Sequence, residues 1–454
     1  MMLKIATSAF ASMALFAAST PITSAQVSFD ECRAAVPGFL DCLDSGADNC
    51  GALPVPDFAF PQDQFNDLGY ALKHLRDTPN THVFALGDFA VWTMIVVDVS
   101  EDDSTAVART KPSGRKLLRG GRHLEDEEDL TLEGAPAEYS TEDVDNRVAG
   151  PSITIRLYDA PEAFFQFGED GAVVGHHHLS AVDDILDVLN ATLEDVTSIE
   201  LAYSHGHFDH IGAANYTYNA IKALGFEDVP IVASKGTQHF LEELAESGLY
   251  SYRAPLPTVT FEGKQNQTVG THTTMMVETV NGHMHDSRDV LIFFEEEEEH
   301  PAIMMMIDIV FPKWSPFYRF ALTTDLLNYL KIHDKMLDDY DLGEDGYLIG
   351  GHLSQIGDRV DIEINKNMTE SVIANARDAL ATTDFGGEAF STGAFTPGEP
   401  TFGNTWYAFG KSFDTIIAKC VRATIEQFGC TLAAIDVMAE SHCDVAQNFV
   451  RIDS

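Results

Sequence analysis

The sequence predicts an α/β layered fold followed by a helical C-terminal extension. Two stretches carry that reading. Between residues 152 and 248, β-prone runs alternate with segments of helical apolar spacing: SITIRLYDA then AVDDILDVLNAT, SIELAYS then ANYTYNAIKALGF, VPIVAS then TQHFLEELAESG. After residue 367 only helical spacing remains, in MTESVIANARDALAT and WYAFGKSFDTIIAKCVRATIEQFGC.

The remaining elements follow in chain order. The chain of 454 residues starts with a basic MMLK, a short apolar stretch and a small-residue site ending at Ala25, so residues 1–25 are expected to be a cleaved signal peptide. Residues 26–80 form a Cys-bearing lead-in in which DLGYALKHL is predicted as a helix. HVFALGDFAVWTMIVVDVS reads as strand, turn, strand and opens the main domain, residues 81–367. Inside it, residues 101–150 have few aromatics and blocks of charge; they are expected to be a disordered insertion, with the basic patch Arg115 to Arg122 as a solvated loop. TTMMVETVN, DVLIFF and AIMMMIDIV read as strands, the last two joined by the acidic tip EEEEEHP. LTTDLLNYLKIHDKML reads as a helix, GYLIGG as a strand, and residues 368–454 form the helical, Cys-bearing extension.

Composition excludes several functions. Against 28 Lys and Arg stand 71 Asp and Glu, a formal net charge of −43 that repels phosphate backbones and anionic lipid heads. Nucleic acid is therefore not expected as a partner, and no stretch beyond the N-terminus is apolar enough to span a bilayer. The mature chain is expected to be soluble and secreted. Its six cysteines fall in two odd clusters, Cys32, Cys42, Cys50 and Cys420, Cys430, Cys443, so if all are paired at least one disulfide crosses between them. Sequons at Asn190, Asn215, Asn266 and Asn367 agree with a secretory route and a glycoprotein, Asn215 being the one expected to be too buried for modification.

The chemistry concentrates in YSHGHFDHIG, where His205, His207, Asp209 and His210 follow the apolar run IELAYS. His205 and His207 alternate at strand spacing, so both rings can point one way, while Asp209 and His210 turn toward a neighbouring position. Imidazoles and carboxylates in this number suit divalent zinc, manganese or iron, and two metal shells need further donors from elsewhere. The triple histidine His176 to His178 reads instead as a polar loop. Ser/His pairings are too scattered for a serine hydrolase, and no P-loop is present.

H-x-H-x-D-H at a strand end resembles the metallo-β-lactamase superfamily of metallohydrolases. That resemblance implies a four-layer αββα sandwich and three further ligands in order: a His, an Asp and a His, each beside a strand. His285 in NGHMHDSRDVLIFF fits the first, with His283 as the alternative. Asp308, ending AIMMMID, fits the second, and a carboxylate buried there without a cation would be costly. His352 fits the third, beside Gly350 and Gly351, which permit close backbone approach. Asp159 in LYDAPEAFF matches an acidic residue that supports the family's site.

The implied centre holds two divalent ions, zinc preferred. One ion takes His205, His207 and His285, the other Asp209, His210 and His352, with Asp308 bridging and Asp209 moving a proton in hydrolysis of a small molecule. Asp308 stands where some β-lactamases carry Cys or Ser, which disfavours antibiotic hydrolysis. The charge disfavours the nuclease branch, and secretion disfavours the glutathione thioesterases and redox enzymes. Lactonases of the family carry a Tyr three residues after the bridging Asp; here it is Phe311, with Tyr318 as a substitute. Trp314, Phe317 and Tyr318 read equally as pocket wall or ordinary core. The expected function is hydrolysis of an ester- or lactone-like compound; the alternatives are a non-catalytic metal-binding protein of the same fold and a sulfatase- or phosphodiesterase-type metallohydrolase.

Overall fold

The computed structural model describes residues 27–45, 50–59, 64–66, 68–100, 151–167, 172–247, 254–280, 288–297, 300–353 and 355–452. The expected signal peptide, the expected 101–150 insertion with Arg115 to Arg122, and His285 with its alternative His283 lie outside the described residues.

The first helix, α1 (Phe29–Asp44), starts at a capping box in which the Ser28 side chain and Glu31 satisfy each other's backbone N–H groups. Four strands follow: β1 (Ala71–Asp77), β2 (Thr81–Gly87), β3 (Trp92–Ser100) and β4 (Ser152–Tyr158). Most of β2, β3 and β4 is buried on both faces, which is why their Val, Ile, Leu and Phe runs barely alternate with polar residues. The first sheet is completed by β7 (Val196–Ala202), β8 (Ile231–Ser234) and β9 (Val259–Phe261), in the order β1-β2-β3-β4-β7-β8-β9, after a small hairpin of β5 (Phe165–Phe167) and β6 (Val173–His176). The parallel pairs β4·β7 and β7·β8 need crossovers, supplied by α2 (His177–Val188) for the first, and by the short α3 (Phe208–Ile211) with α4 (Ala214–Ala223) for the second. Helix α5 (Lys235–Ser247) links β8 to β9. The second sheet runs β10 (Lys264–Val269), β11 (Thr273–Thr279), β12 (Val290–Phe294), β13 (Ile303–Met306) and β14 (Tyr347–Ile349) in that order.

Three cores stack these sheets into four layers. Phe84, Ile155, Leu157 and Leu201 of the first sheet pack on Val182, Ile185 and Ile221 of α2 and α4. Val83, Met94 and Val96 on its other face meet Val277, Ile292 and Met305 of the second sheet. The outer face of that sheet, through Leu291, Phe293 and Met304, packs on a helical layer of α6 (Leu326–Asp338), α7 (Arg359–Thr382), α9 (Thr405–Phe428) and α10 (Ile435–Ile452), with α8 (Phe385–Ser391) beside α9. The chain is thus an αββα sandwich. Helix α7 runs without a break through residues 367 and 368, where the extension was expected to start, and its Ile362 and Ala376 share one core with the sheet.

Polar groups also cross between the sheets. Arg156 on β4 donates to Glu200 at 2.8 Å, to Gln267 at 3.2 Å and to the Thr268 carbonyl at 3.2 Å. Asp98 on β3 is fully buried and accepts the backbone N–H groups of Thr271 at 3.0 Å, His272 at 2.8 Å and Thr273 at 2.7 Å, holding the β10–β11 turn. Gly270 sits there at φ +56° with no room for a Cβ beside the Asp98 carboxylate. Asp98→Ala is expected to cost about 2–4 kcal/mol, because charge-assisted bonds of this kind contribute roughly 1.5–3 kcal/mol each and the buried Thr273 N–H loses its acceptor. Denaturant titration against Asp98→Asn, which keeps an acceptor oxygen and should lose less, checks this.

The cysteines pair as Cys32–Cys430, Cys42–Cys50 and Cys420–Cys443, one bridge crossing between the clusters as their parity demands. Two local expectations are corrected. DLGYALKHL is not a helix; its second half is β1, whose register shifts between His74 and Arg76. His176 to His178 are not a polar loop: all three are buried at the junction of β6 and α2, with rings 5.8, 5.6 and 5.3 Å from Phe164. Burial holds them neutral, His176 down to about 3, His177 to about 4 and His178 well below its ordinary value. The four sequon asparagines are exposed, Asn215 included.

Candidate metal centre

The C-terminal ends of β4, β7 and β14 and the turn after β13 meet at one rim of the sandwich. Strand β7 ends at Ala202, and the following turn delivers His205 and His207, then Asp209 and His210 in the first turn of α3. Asp308 lies two residues past β13, with φ 65°, a left-handed conformation uncommon outside glycine. Asp159, one residue past β4, is also left-handed, with φ 53°. Two buried carboxylates held in sparsely populated backbone at strand ends are the kind of strain that collects at functional sites.

Six of the seven residues expected as ligands converge there. Asp209, His210, Asp308 and His352 each offer a donor atom within 4.8 Å of the others, and so do His205, His207 and Asp308. Asp308 belongs to both groups. His210 Nε2 is 3.1 Å from Asp308 Oδ2 and 3.1 Å from His352 Nε2. His352 Nε2 is 3.2 Å from Asp308 Oδ1 and 3.3 Å from Asp209 Oδ2, and His205 Nε2 is 3.6 Å from Asp308 Oδ2. The seventh, His285, lies outside the described residues.

Three imidazoles are aimed by the same device. In each, Nδ1 faces a protein oxygen and Nε2 faces the centre: His205 Nδ1 is 3.0 Å from Ser204 Oγ, His210 Nδ1 is 3.8 Å from Asp159 Oδ2, and His352 Nδ1 is 3.3 Å from the Ala90 carbonyl. Such partners fix ring orientation and tautomer at metal sites. Asp159 also accepts the Ser204 N–H at 2.8 Å, so one carboxylate supports both His210 and the turn carrying His205.

The donor set fits a pair of cations. Two Nε2 atoms at 3.1 Å, ringed by carboxylate oxygens, leave the centre rich in donors of metal-ligand type. Without a cation, burial alone would depress His210, yet the charges of Asp308, Asp209 and Asp159 outweigh it and push its pKa up to about 10. Burial opposes ionisation of Asp209, but His210 and His352 prevail and hold it well below the usual carboxylate range. Burial raises Asp159 to about 6 against the pull of His210.

One supporting residue escaped the sequence reading. Asp88, in the turn between β2 and β3, accepts the N–H groups of Ala90 at 2.7 Å and Val91 at 2.8 Å and is buried, which raises its pKa to about 6. That turn presents the Ala90 carbonyl to His352, and Val91 pairs with His352 as an isolated bridge. The signal was an Asx turn in GDFAV, Gly87 to Val91, although nothing local ties it to His352. Asp88→Ala is expected to lower metal affinity about 10–100-fold, the usual effect of losing an outer-shell partner. Competition with a chromophoric chelator measures it.

The aromatic candidates divide. Phe311 is buried and lies parallel to His352, ring centres 6.0 Å apart. Trp314 donates its indole N–H to the Ala59 carbonyl at 2.9 Å, tying the N-terminal segment down. Phe317 and Tyr318 are exposed and lead into Tyr318–Leu322, a turn with left-handed backbone at Arg319, Phe320 and Ala321. That turn is secured by Ser441 Oγ, which accepts the Arg319 N–H at 3.0 Å, and by His442 Nδ1, which accepts the Phe320 N–H at 3.0 Å. With Nδ1 so used, His442 donates from Nε2 to Ser315 Oγ at 3.0 Å, so this Ser/His pair is structural rather than nucleophilic.

Fold and donor set together define a candidate two-metal centre at the rim of an αββα sandwich. No protein-family model and no curated protein matches the sequence. Among solved structures, the DIM-1 metallo-β-lactamase is similar at 11% identity over 66% of this chain and 97% of that one, with a TM-score of 0.36. A β-lactamase domain protein from Burkholderia ambifaria is similar at 13% identity over 82% and 92%, with a TM-score of 0.41. A double mutant of the sec-alkyl sulfatase PisA1 is similar at 12% identity over 80% and 50%, with a TM-score of 0.37.

Proposed function

We propose that this chain is a secreted, binuclear metal-dependent hydrolase of the metallo-β-lactamase superfamily, acting on an ester- or lactone-like small molecule. The observation that carries the reading is the sharing of Asp308 between two donor groups, one with His205 and His207, the other with Asp209, His210 and His352. His285 is proposed to complete the first group. Two divalent ions, zinc preferred for this nitrogen and oxygen set, supply Lewis acidity and a nucleophile at neutral pH when bound.

The chain's own residues provide the rest. Ser204, Asp159 and Ala90 keep three Nε2 atoms aimed at the centre, so little reorganisation is needed on reaction. Asp209 is the most open carboxylate of the group, its side chain 34% exposed, and is held ionised by His210 and His352. Its openness to solvent, rather than its basicity, supports the proposal that it passes a proton between the solvent side of the centre and the leaving group. Three disulfides support an oxidising compartment.

The test is a panel of esters, lactones, sulfate esters and phosphodiesters, run on secreted protein with and without chelator. Turnover of an ester or lactone that chelation removes and zinc restores is expected. Bound metal with no turnover of any member would favour the non-catalytic alternative.

A further inference from the structure

We propose a second metal site, for a single divalent cation of the zinc, copper or nickel type, formed by His74, Asp77 and His82 on the β1–β2 hairpin. Their donor atoms lie within 4.8 Å of one another. His82 Nδ1 is 3.3 Å from His74 Nε2 and 3.1 Å from Asp77 Oδ1. Bonds of about 2.0–2.1 Å in a tetrahedral zinc shell put neighbouring ligand atoms roughly 3.3 Å apart, so both separations suit a shared ion.

The backbone shows how the three come together. In a regular strand His74 and Asp77 would point to opposite faces, because side chains alternate. The register, however, pairs His74 with Phe84, then Arg76 with Val83 and Asp77 with His82, leaving Leu75 as an extra residue in a β-bulge. The bulge brings His74 and Asp77 back to one side, opposite Phe84 and His82, which share a face. The His74 ring is then stacked on Phe84, centroids 4.2 Å apart, and His82 is buried, so two of the three donors are held in place.

These side chains line a cleft of about 320 Å³ together with Val99, Ile153, Val188 and Leu189. Three protein ligands and a cleft leave a coordination position open for water or a small ligand. The site is separate from the candidate centre at the other rim. Ile153 borders the cleft and Asp159 supports the other centre; at about 3.3 Å per residue the run of β4 between them spans roughly 20 Å.

The experiment is equilibrium dialysis of the full chain against zinc, followed by elemental analysis. His74→Gln/His82→Gln is expected to bind one equivalent less than the wild type, with hydrolase turnover unchanged. Asp308→Ala/His352→Ala is expected to keep that equivalent. No difference in stoichiometry between wild type and the double glutamine variant overturns the proposal, whatever becomes of the hydrolase reading. If that variant fails to fold, by near-ultraviolet circular dichroism, the exposed Asp77→Asn decides. A tenfold or greater loss of affinity for this equivalent supports the site, and wild-type affinity overturns it.

Discussion

Asp308→Ala is expected to strip both ions from the rim and abolish turnover with them. Losing an outer-shell partner costs about 10–100-fold in metal affinity or activity. Asp308 should cost more, because its two oxygens face His205, His210 and His352 at 3.6, 3.1 and 3.2 Å. It is also the one donor common to both groups. Removing it deprives each ion of a ligand and leaves His210 beside fewer negative charges. Elemental analysis and turnover measured on one sample check the prediction. Retained stoichiometric metal in Asp308→Ala/His352→Ala at the rim, counted with His74→Gln/His82→Gln in the background, would count against the centre.

Acidification is expected to remove most of the stability by about pH 5. Five buried histidines are held neutral, chiefly by burial: His176, His177 and His178 beside Phe164, His333 at about 4 in α6, and His442 at about 3 in α10. Between an unfolded value near 6.5 and these lower folded values the unfolded chain binds more protons, so stability falls as pH falls. By pH 5 each ring contributes a loss of roughly 2 kcal/mol at 1.36 kcal/mol per pH unit. Asp88 and Asp159, both raised to about 6, act in the opposite sense below that pH, two groups against these five. The sum is comparable to the roughly 5–15 kcal/mol by which folded domains are stable. Urea midpoints from pH 7.5 to 5 measure it. Among the described residues neither ring nitrogen of His178 has a hydrogen-bond partner, so His178→Leu should shift the acid transition to lower pH. An unchanged transition in that variant would show that the trio does not set the acid limit.

The strand–helix alternation was readable because each buried run in β4, β7 and β8 is followed by an amphipathic crossover, and parallel pairing demands that order. The H-x-H-x-D-H cluster was readable for a different reason: its four donors are local, set by one strand end and one helical turn. What failed to show was nonlocal or irregular. In β1, Ala71 and Leu75 are spaced like a helical stripe, and the bulge at His74 and Arg76 breaks the alternation that marks a strand. Helix α1 lies within the stretch read only as a Cys-bearing lead-in, and it carries Pro37 inside it, which weakens a helical pattern. The histidine trio looked solvated because polarity was read as exposure, whereas neutral imidazoles pack against Phe164. Asp88 gains its role only when Val91 pairs with His352, a contact between distant parts of the chain.

The central claim is that two ions share Asp308. Anomalous diffraction at the zinc edge, on crystals of the secreted protein grown with zinc, tests it most directly. Two peaks about 3.5–4 Å apart are predicted on either side of the Asp308 carboxylate, one among Asp209, His210 and His352, the other beside His205 and His207. A single peak there, or none, would contradict the account.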